Sequence, residues 1–131
     1  MFIQYINKLP SKIEFFDILR ISETNKYDIN QLDKELNETI TAVCAYRGDR
    51  IVGIGRIKKE KEYLYIQDVI VVLEECKEEI ENSIITNLVK QVNQLKNYDV
   101  EVRDCLQMPK NENEFYKKYN FLISDFEVVG A

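Results

Sequence analysis

Apolar and polar positions change their spacing several times along the chain, and each change predicts an element. Residues 2–6 read as a short strand. Pro10 and Ser11 follow, with Glu14 three residues after Ser11, which is the signature of a helix start. The serine hydroxyl can take the third helical N–H while the glutamate returns the bond. A first helix is expected to run to about residue 24, with Ile13, Phe16 and Leu19 on one face and Ile18 beside them. Ile29, Leu32 and Leu36 keep helical spacing in a second, shorter helix opened by Asp28 or Asn30 and ending near Thr39.

From Ile40 the pattern turns to strands. ITAVCAYR and RIVGIGRI flank Gly48-Asp49 and predict a hairpin, and the polar residues 58–62 predict the next turn. YLYIQDVIVV, residues 63–72, is rich in β-branched and aromatic residues, as a central strand covered on both faces would be. Residues 76–96 carry the longest helical stripe, formed by Ile80, Ile84, Ile85, Leu88, Val89, Val92 and Leu95. YDVEVRDCL alternates as a strand. Asn111 and Glu114 then open a last helix containing Phe115, Tyr116 and Tyr119, and FLISDFEVV is a closing strand.

Composition narrows the classes of function. With 131 residues, 45% hydrophobic and 31% charged, the chain is expected to be one domain over residues 1–131 with one core and no need of disulfides or metal. The net charge of -5 and the scattering of lysines among glutamates leave no basic stripe, so nucleic acid is not an expected partner. The first ten residues lack the apolar core of a leader, and no apolar run approaches the roughly 20 residues that span a bilayer, so a cytoplasmic protein without membrane contact is expected. Cys44, Cys76 and Cys105 are widely spaced and unaccompanied by any histidine, which suggests reduced thiols and no metal site. The lack of histidine also excludes the usual serine and cysteine hydrolase triads.

The order β-α-α-β-β-β-α-β-α-β is similar to the GNAT fold, an α/β (α+β) arrangement with a mixed central sheet used by acyl-CoA-dependent N-acetyltransferases. The likeness covers essentially the whole chain. AYRGDRIVGIGRI resembles the family's hairpin of second and third strands. YLYIQDVIVV resembles its fourth strand, closely so in a subgroup where Ile-Gln-Asp-Val precedes the cofactor loop. EFYKKYNF resembles the Phe-Tyr-Glu-Lys-x-Gly-Phe motif of its last helix, with Asn120 in place of the glycine, an exchange that the left-handed conformation tolerates.

The resemblance implies transfer of an acetyl group from acetyl-CoA to a primary amine of a small molecule or peptide. Such a reaction needs the amine as free base, a held oxyanion and a protonated or hydrogen-bonded leaving thiolate. Backbone amides around Ile70, Val71 and Val72 take the second task by that resemblance. Tyr116 matches the tyrosine that donates to the leaving sulfur in many members; its other reading is a ring packed in the core with the hydroxyl outside. Asp68 interrupts the apolar set Leu64, Ile66, Ile70 and Val72. It is either a general base or amine-binding carboxylate in a polar cleft, or the partner of Arg56 on the neighbouring strand. Glu101 and Asp104 are lesser candidates for the same part. Tyr27 and the acidic balance lean toward a cationic amine.

One stretch departs from the family. Its loop after the fourth strand reads approximately Gln/Arg-x-x-Gly-x-Gly/Ala, so that bare backbone N–H groups close on the pyrophosphate of CoA. Here the matching residues are Cys76, Lys77, Glu78, Glu79, Ile80 and Glu81, followed by Asn82, and the glycines lie at Gly48, Gly53, Gly55 and Gly130. These seven residues are the expected cofactor contacts, with Lys77 positioned to offset the carboxylates. Three readings stay open: an N-acetyltransferase with weakened CoA contacts, a non-catalytic module of the same fold that binds a partner or forms a homodimer, and an unrelated α/β domain with the same order of elements.

Overall fold

The computed structural model describes residues 2–23, 27–60, 63–98 and 106–107. Strand β1 (Gln4–Ile6) leads into α1 (Lys12–Ile21) and α2 (Ile29–Asn37). Strands β2 (Thr39–Arg47), β3 (Arg50–Glu60) and β4 (Tyr63–Val71) follow. A 3-10 turn at Glu74–Cys76 opens α3 (Lys77–Tyr98), and β5 (Leu106–Gln107) lies beyond it. The strands form one sheet in the order β1-β2-β3-β4-β5, antiparallel except for the parallel pair of β4 and β5. The last helix and strand read from the sequence lie outside the described residues.

Local sequence fixes the helix starts. Ser11 accepts from the Glu14 N–H at 3.1 Å and Glu14 accepts from the Ser11 N–H at 2.9 Å. Asp28 and Gln31 repeat the arrangement at 3.0 and 2.9 Å, so Asp28 is the cap of α2. Each such cap contributes about 1 kcal/mol by satisfying N–H groups that the helix itself cannot. Gly48, at φ 61, makes the left-handed step of the two-residue turn between β2 and β3.

Both faces of the sheet are covered. Ile80, Ile84, Ile85, Leu88, Val89 and Val92 of α3 pack on one face with Val43, Ala45, Ile57, Ile66 and Val71. Phe15, Ile18 and Leu19 of α1 and Leu32 of α2 pack on the other with Cys44, Tyr46, Ile51 and Ile54. Gly53 and Gly55 explain the close seat of α3: a Cβ at Gly55 would collide with Ile84 Cγ2 and stand 3.0 Å from Leu88 Cδ1.

Several sequence expectations are corrected here. The buried stripe of α1 is Phe15, Ile18 and Leu19, while Ile13 is 75% exposed and Phe16 41%. Residues at i, i+3 and i+4 form a tighter stripe than those at i, i+3 and i+6, and the Phe15 stripe wins. Among the described residues β3 is buried continuously from Ile51 to Ile57, and β4, paired with β3 on one side and β5 on the other, is half-buried at Val69 and Ile70. Residues 58–62 do not all turn, because β3 continues to Glu60. Polarity without glycine or proline does not break a strand at the rim, where Lys58 finds two carboxylates.

Candidate functional site

Where β4 ends, the chain passes through Val72, Leu73 and the 3-10 turn into α3. The Val72 N–H donates to the Val52 carbonyl at 2.9 Å, extending the β3–β4 ladder by one bond. Strand alternation therefore turns the Ile70 and Val72 amides toward β3 and the Val71 amide toward the β5 side. Beyond lies a cavity of about 810 Å³ around the start of α3, lined by Glu74, Glu75, Cys76, Lys77, Glu78, Glu79, Glu81 and Asn82. The side chain of Ile80 is not among them: it is 1% exposed and packs in the core against the position of Gly53.

On the opposite face sits a buried charged cluster. Arg56 is 0% exposed. Its Nε donates to Asp68 Oδ2 at 2.8 Å, and its Nη2 to Glu35 Oε1 at 2.5 Å and to the Tyr27 hydroxyl at 2.9 Å. Its Nη1 donates to Thr39 Oγ1 at 2.9 Å and to the Glu35 carbonyl at 3.1 Å. The guanidinium also lies 5.3 Å from the ring centroid of Phe15 and 5.5 Å from that of Tyr27. Tyr27 donates on to Asp68 Oδ2 at 3.3 Å and accepts from Gln67 Nε2 at 3.1 Å.

Burial opposes charge on Glu35, but the hydrogen bond and charge of Arg56, with Lys58 behind them, hold its carboxyl below the usual range. Burial likewise opposes the charge on Arg56, and Asp68 and Glu35 outweigh it, so its pKa rises. The hydrogen bond that Lys58 donates to Glu38 raises its pKa against its own partial burial. A cluster this saturated locks α2 and the segment carrying Tyr27 onto β3 and β4.

Asp68 is in this cluster because of a β-bulge. Arg56 pairs with Asp68 and Ile57 with Ile66, leaving Gln67 as the extra residue of β4. Ile66 therefore faces α3, whereas Asp68 and Ile70 face α1 and α2. The strict two-residue alternation that set Asp68 among Leu64, Ile66, Ile70 and Val72 fails at this point, and the salt bridge to Arg56 is present.

At the other end of the hairpin, the Tyr46 hydroxyl donates to Glu14 Oε2 at 2.5 Å, and burial together with that bond pushes the Tyr46 pKa up. Burial, then the nearby Glu14 charge, pushes the Cys44 thiol up to about 11. Cys44 is thus a protonated core residue, and neither it nor Cys76 is in a disulfide. Cys105 lies outside the described residues.

No protein-family model matches the chain, and no curated protein matches it. Solved structures do. Protein SA2161 of meticillin-resistant Staphylococcus aureus, of unknown function and called a probable acetyltransferase, superposes with a TM-score of 0.67 at 17% identity, over 92% of this chain and 90% of that one. A GNAT-family acetyltransferase of Streptococcus pneumoniae gives 0.60 at 23% identity over 96% and 88%. The chain has the GNAT fold. A Bacillus subtilis acetyltransferase in complex with CoA gives 0.65 at 14% identity over 92% and 75%, and aminoglycoside acetyltransferases also match.

The residues expected from the sequence as cofactor contacts line the α3 cavity, all but Ile80. Five carboxylates, those of Glu74, Glu75, Glu78, Glu79 and Glu81, face it against the single ammonium of Lys77. Each unit repulsion on a phosphate at 4–8 Å costs roughly 0.5–1 kcal/mol at water-like dielectric. The first-turn carboxylates Glu78 and Glu79 also already occupy the favourable end of the helix dipole. These residues do not fit a pyrophosphate.

Tyr116, Glu101, Asp104 and the whole EFYKKYNF segment lie outside the described residues. Sequence reasoning found Asp68, Arg56 and Tyr27 but missed Glu35, Thr39 and Lys58. The signal for Glu35 was its place three residues after buried Leu32 on the inward stripe of a short helix, opposite a lone arginine in an apolar strand.

Proposed function

We propose that the chain is an N-acetyltransferase acting on a primary amine of a small molecule or peptide, with acetyl-CoA as donor. The observation that carries this reading is the GNAT fold, shared with acetyltransferases over more than nine-tenths of the chain, whose β4–α3 junction borders the cavity of about 810 Å³. A small cationic amine suits the net charge of -5, and aminoglycoside acetyltransferases are among the proteins of similar fold. In this reading Asp68 acts through its bonds to Arg56 and Tyr27, placing the wall of the acceptor cleft, and Tyr116 remains the proposed partner of the leaving sulfur. No helix among the described residues is long and apolar enough to cross a membrane.

The charge of the same cavity favours a second reading, a non-catalytic binding module of this fold. Titration calorimetry with acetyl-CoA, followed by a thiol-release assay over a panel of polyamines, aminoglycosides and peptides, separates the two. The first reading expects binding in the micromolar-to-millimolar range and amine-dependent release of free CoA. A folded protein with no heat of binding and no release with any amine would establish the second.

A further inference from the structure

Three of the chain's five arginines, Arg20, Arg47 and Arg50, line a second cavity of about 510 Å³ between the last turns of α1 and the turn joining β2 to β3. Elsewhere the chain carries its positive charge almost wholly on lysine, so the gathering of guanidinium groups marks this cleft chemically. Arg47 and Arg50 are direct partners across the hairpin, and like charges in that position destabilise a ladder. Among the described residues neither makes an ion pair. Of the acids that also line the cleft, Glu14 accepts from Tyr46 and from the Ser11 N–H and stands 4.0 Å from Lys8 Nζ, and Asp17 stands 3.7 Å from Arg20. Asp49, in the turn itself, makes no ion pair among the described residues either. Ile21 and Ile51 supply an apolar wall.

We propose that this cleft binds the phosphate group of a small molecule through Arg47 and Arg50, with Arg20 at the far side. Guanidinium forks match the geometry of oxyanions, and a phosphate monoester, close to dianionic at neutral pH, answers two adjacent positive charges better than a carboxylate does. A cavity of this size also admits an organic body against Ile21 and Ile51. The site lies on the opposite side of the sheet's end from the acidic start of α3: Ile51, in its wall, is next to Val52, whose carbonyl holds Val72. It does not depend on acetyl transfer, because phosphate binding is read without turnover.

The test is a titration of the 15N-labelled protein with inorganic phosphate, repeated on Arg47→Gln, Arg50→Gln and the double variant, with Arg→Lys at both positions as the charge-preserving control. Saturable shifts should centre on the amides of residues 20–21 and 47–51. Loss of a charged hydrogen bond should weaken binding about tenfold or more for each glutamine. Rising sodium chloride should weaken it further, and the lysine variants should fall between parent and glutamine. A parallel titration with CoA identifies the source of the phosphate. If the glutamine variants lose CoA as they lose phosphate, the group belongs to the cofactor; if CoA is indifferent to them, a separate phosphorylated molecule is the ligand. The proposal is overturned if phosphate produces no saturable shift in the cleft, or if the folded double variant binds it as the parent does.

Discussion

Arg56 illustrates how one side chain can decide the energetics of a face. Its guanidinium is wholly buried and holds two carboxylates that are themselves nearly so, with side-chain exposures of 11% for Glu35 and 3% for Asp68. Breaking a buried pair from one side strands a charge, at a cost of about 3–5 kcal/mol. Arg56→Ala should therefore lower the urea midpoint by that equivalent. Combining Arg56→Met with Glu35→Gln and Asp68→Asn, which removes all three charges, should recover most of the loss. An Arg56→Ala protein within 1 kcal/mol of the parent would show that the cluster is decorative. The Arg56–Asp68 half of this cluster was legible as two opposite charges in adjacent strands. Its face was not, since no residue type announces the bulge at Gln67 that shifts Asp68 away from Ile66.

Among the elements, α3 is where sequence and family pattern diverge most sharply. Its stripe from Ile80 to Val92 was readable because six buried positions keep one period, and Gly53 and Gly55 beneath it remove the side chains that would hold it off. α1 was less readable because two apolar stripes share ten residues, and only contact with β3 and α2 selects between them. The start of α3 carries the next prediction. Replacing Lys77, Glu79 and Glu81 by glycine removes two repulsive carboxylates and bares the backbone N–H groups, so CoA affinity should rise about tenfold by calorimetry. Glycine weakens a helix by about 1 kcal/mol per interior position, so circular dichroism must show α3 intact. Unchanged affinity in a folded variant would mean that CoA does not use this end of the helix.

Over the whole molecule, the order of elements through β4 and α3 followed from the periodicities, whereas the pairing order of the described strands depended on contacts that no single segment encodes. That layout divides the stabilising forces between the two faces. The α3 face is apolar, built on Ile80, Ile84, Ile85 and Leu88. The opposite face mixes an apolar core with the pairs of Arg56, Glu35, Asp68 and Lys58, together with the Tyr46–Glu14 bond. Glu35 has a native pKa below its ordinary value, and so has Glu14, where burial is outweighed by Tyr46, Ser11 and Lys8. A depressed native pKa means that the stabilisation is complete above the unfolded value, near ~4.3 for glutamate, and is lost as pH falls through the native value. Acidification should thus loosen α1 and α2 while α3 still holds its face of the sheet. Hydrogen-exchange protection factors, corrected for intrinsic rates and measured downward from neutral pH, should fall first for amides of α1 and α2 and later for those of α3 and β3. Glu35→Gln should be less stable at neutral pH and should flatten the pH dependence of the α2 amides. Simultaneous loss of protection on both faces, or earlier loss in α3, would show that the two faces do not separate and that the buried ion pairs are not what acid releases.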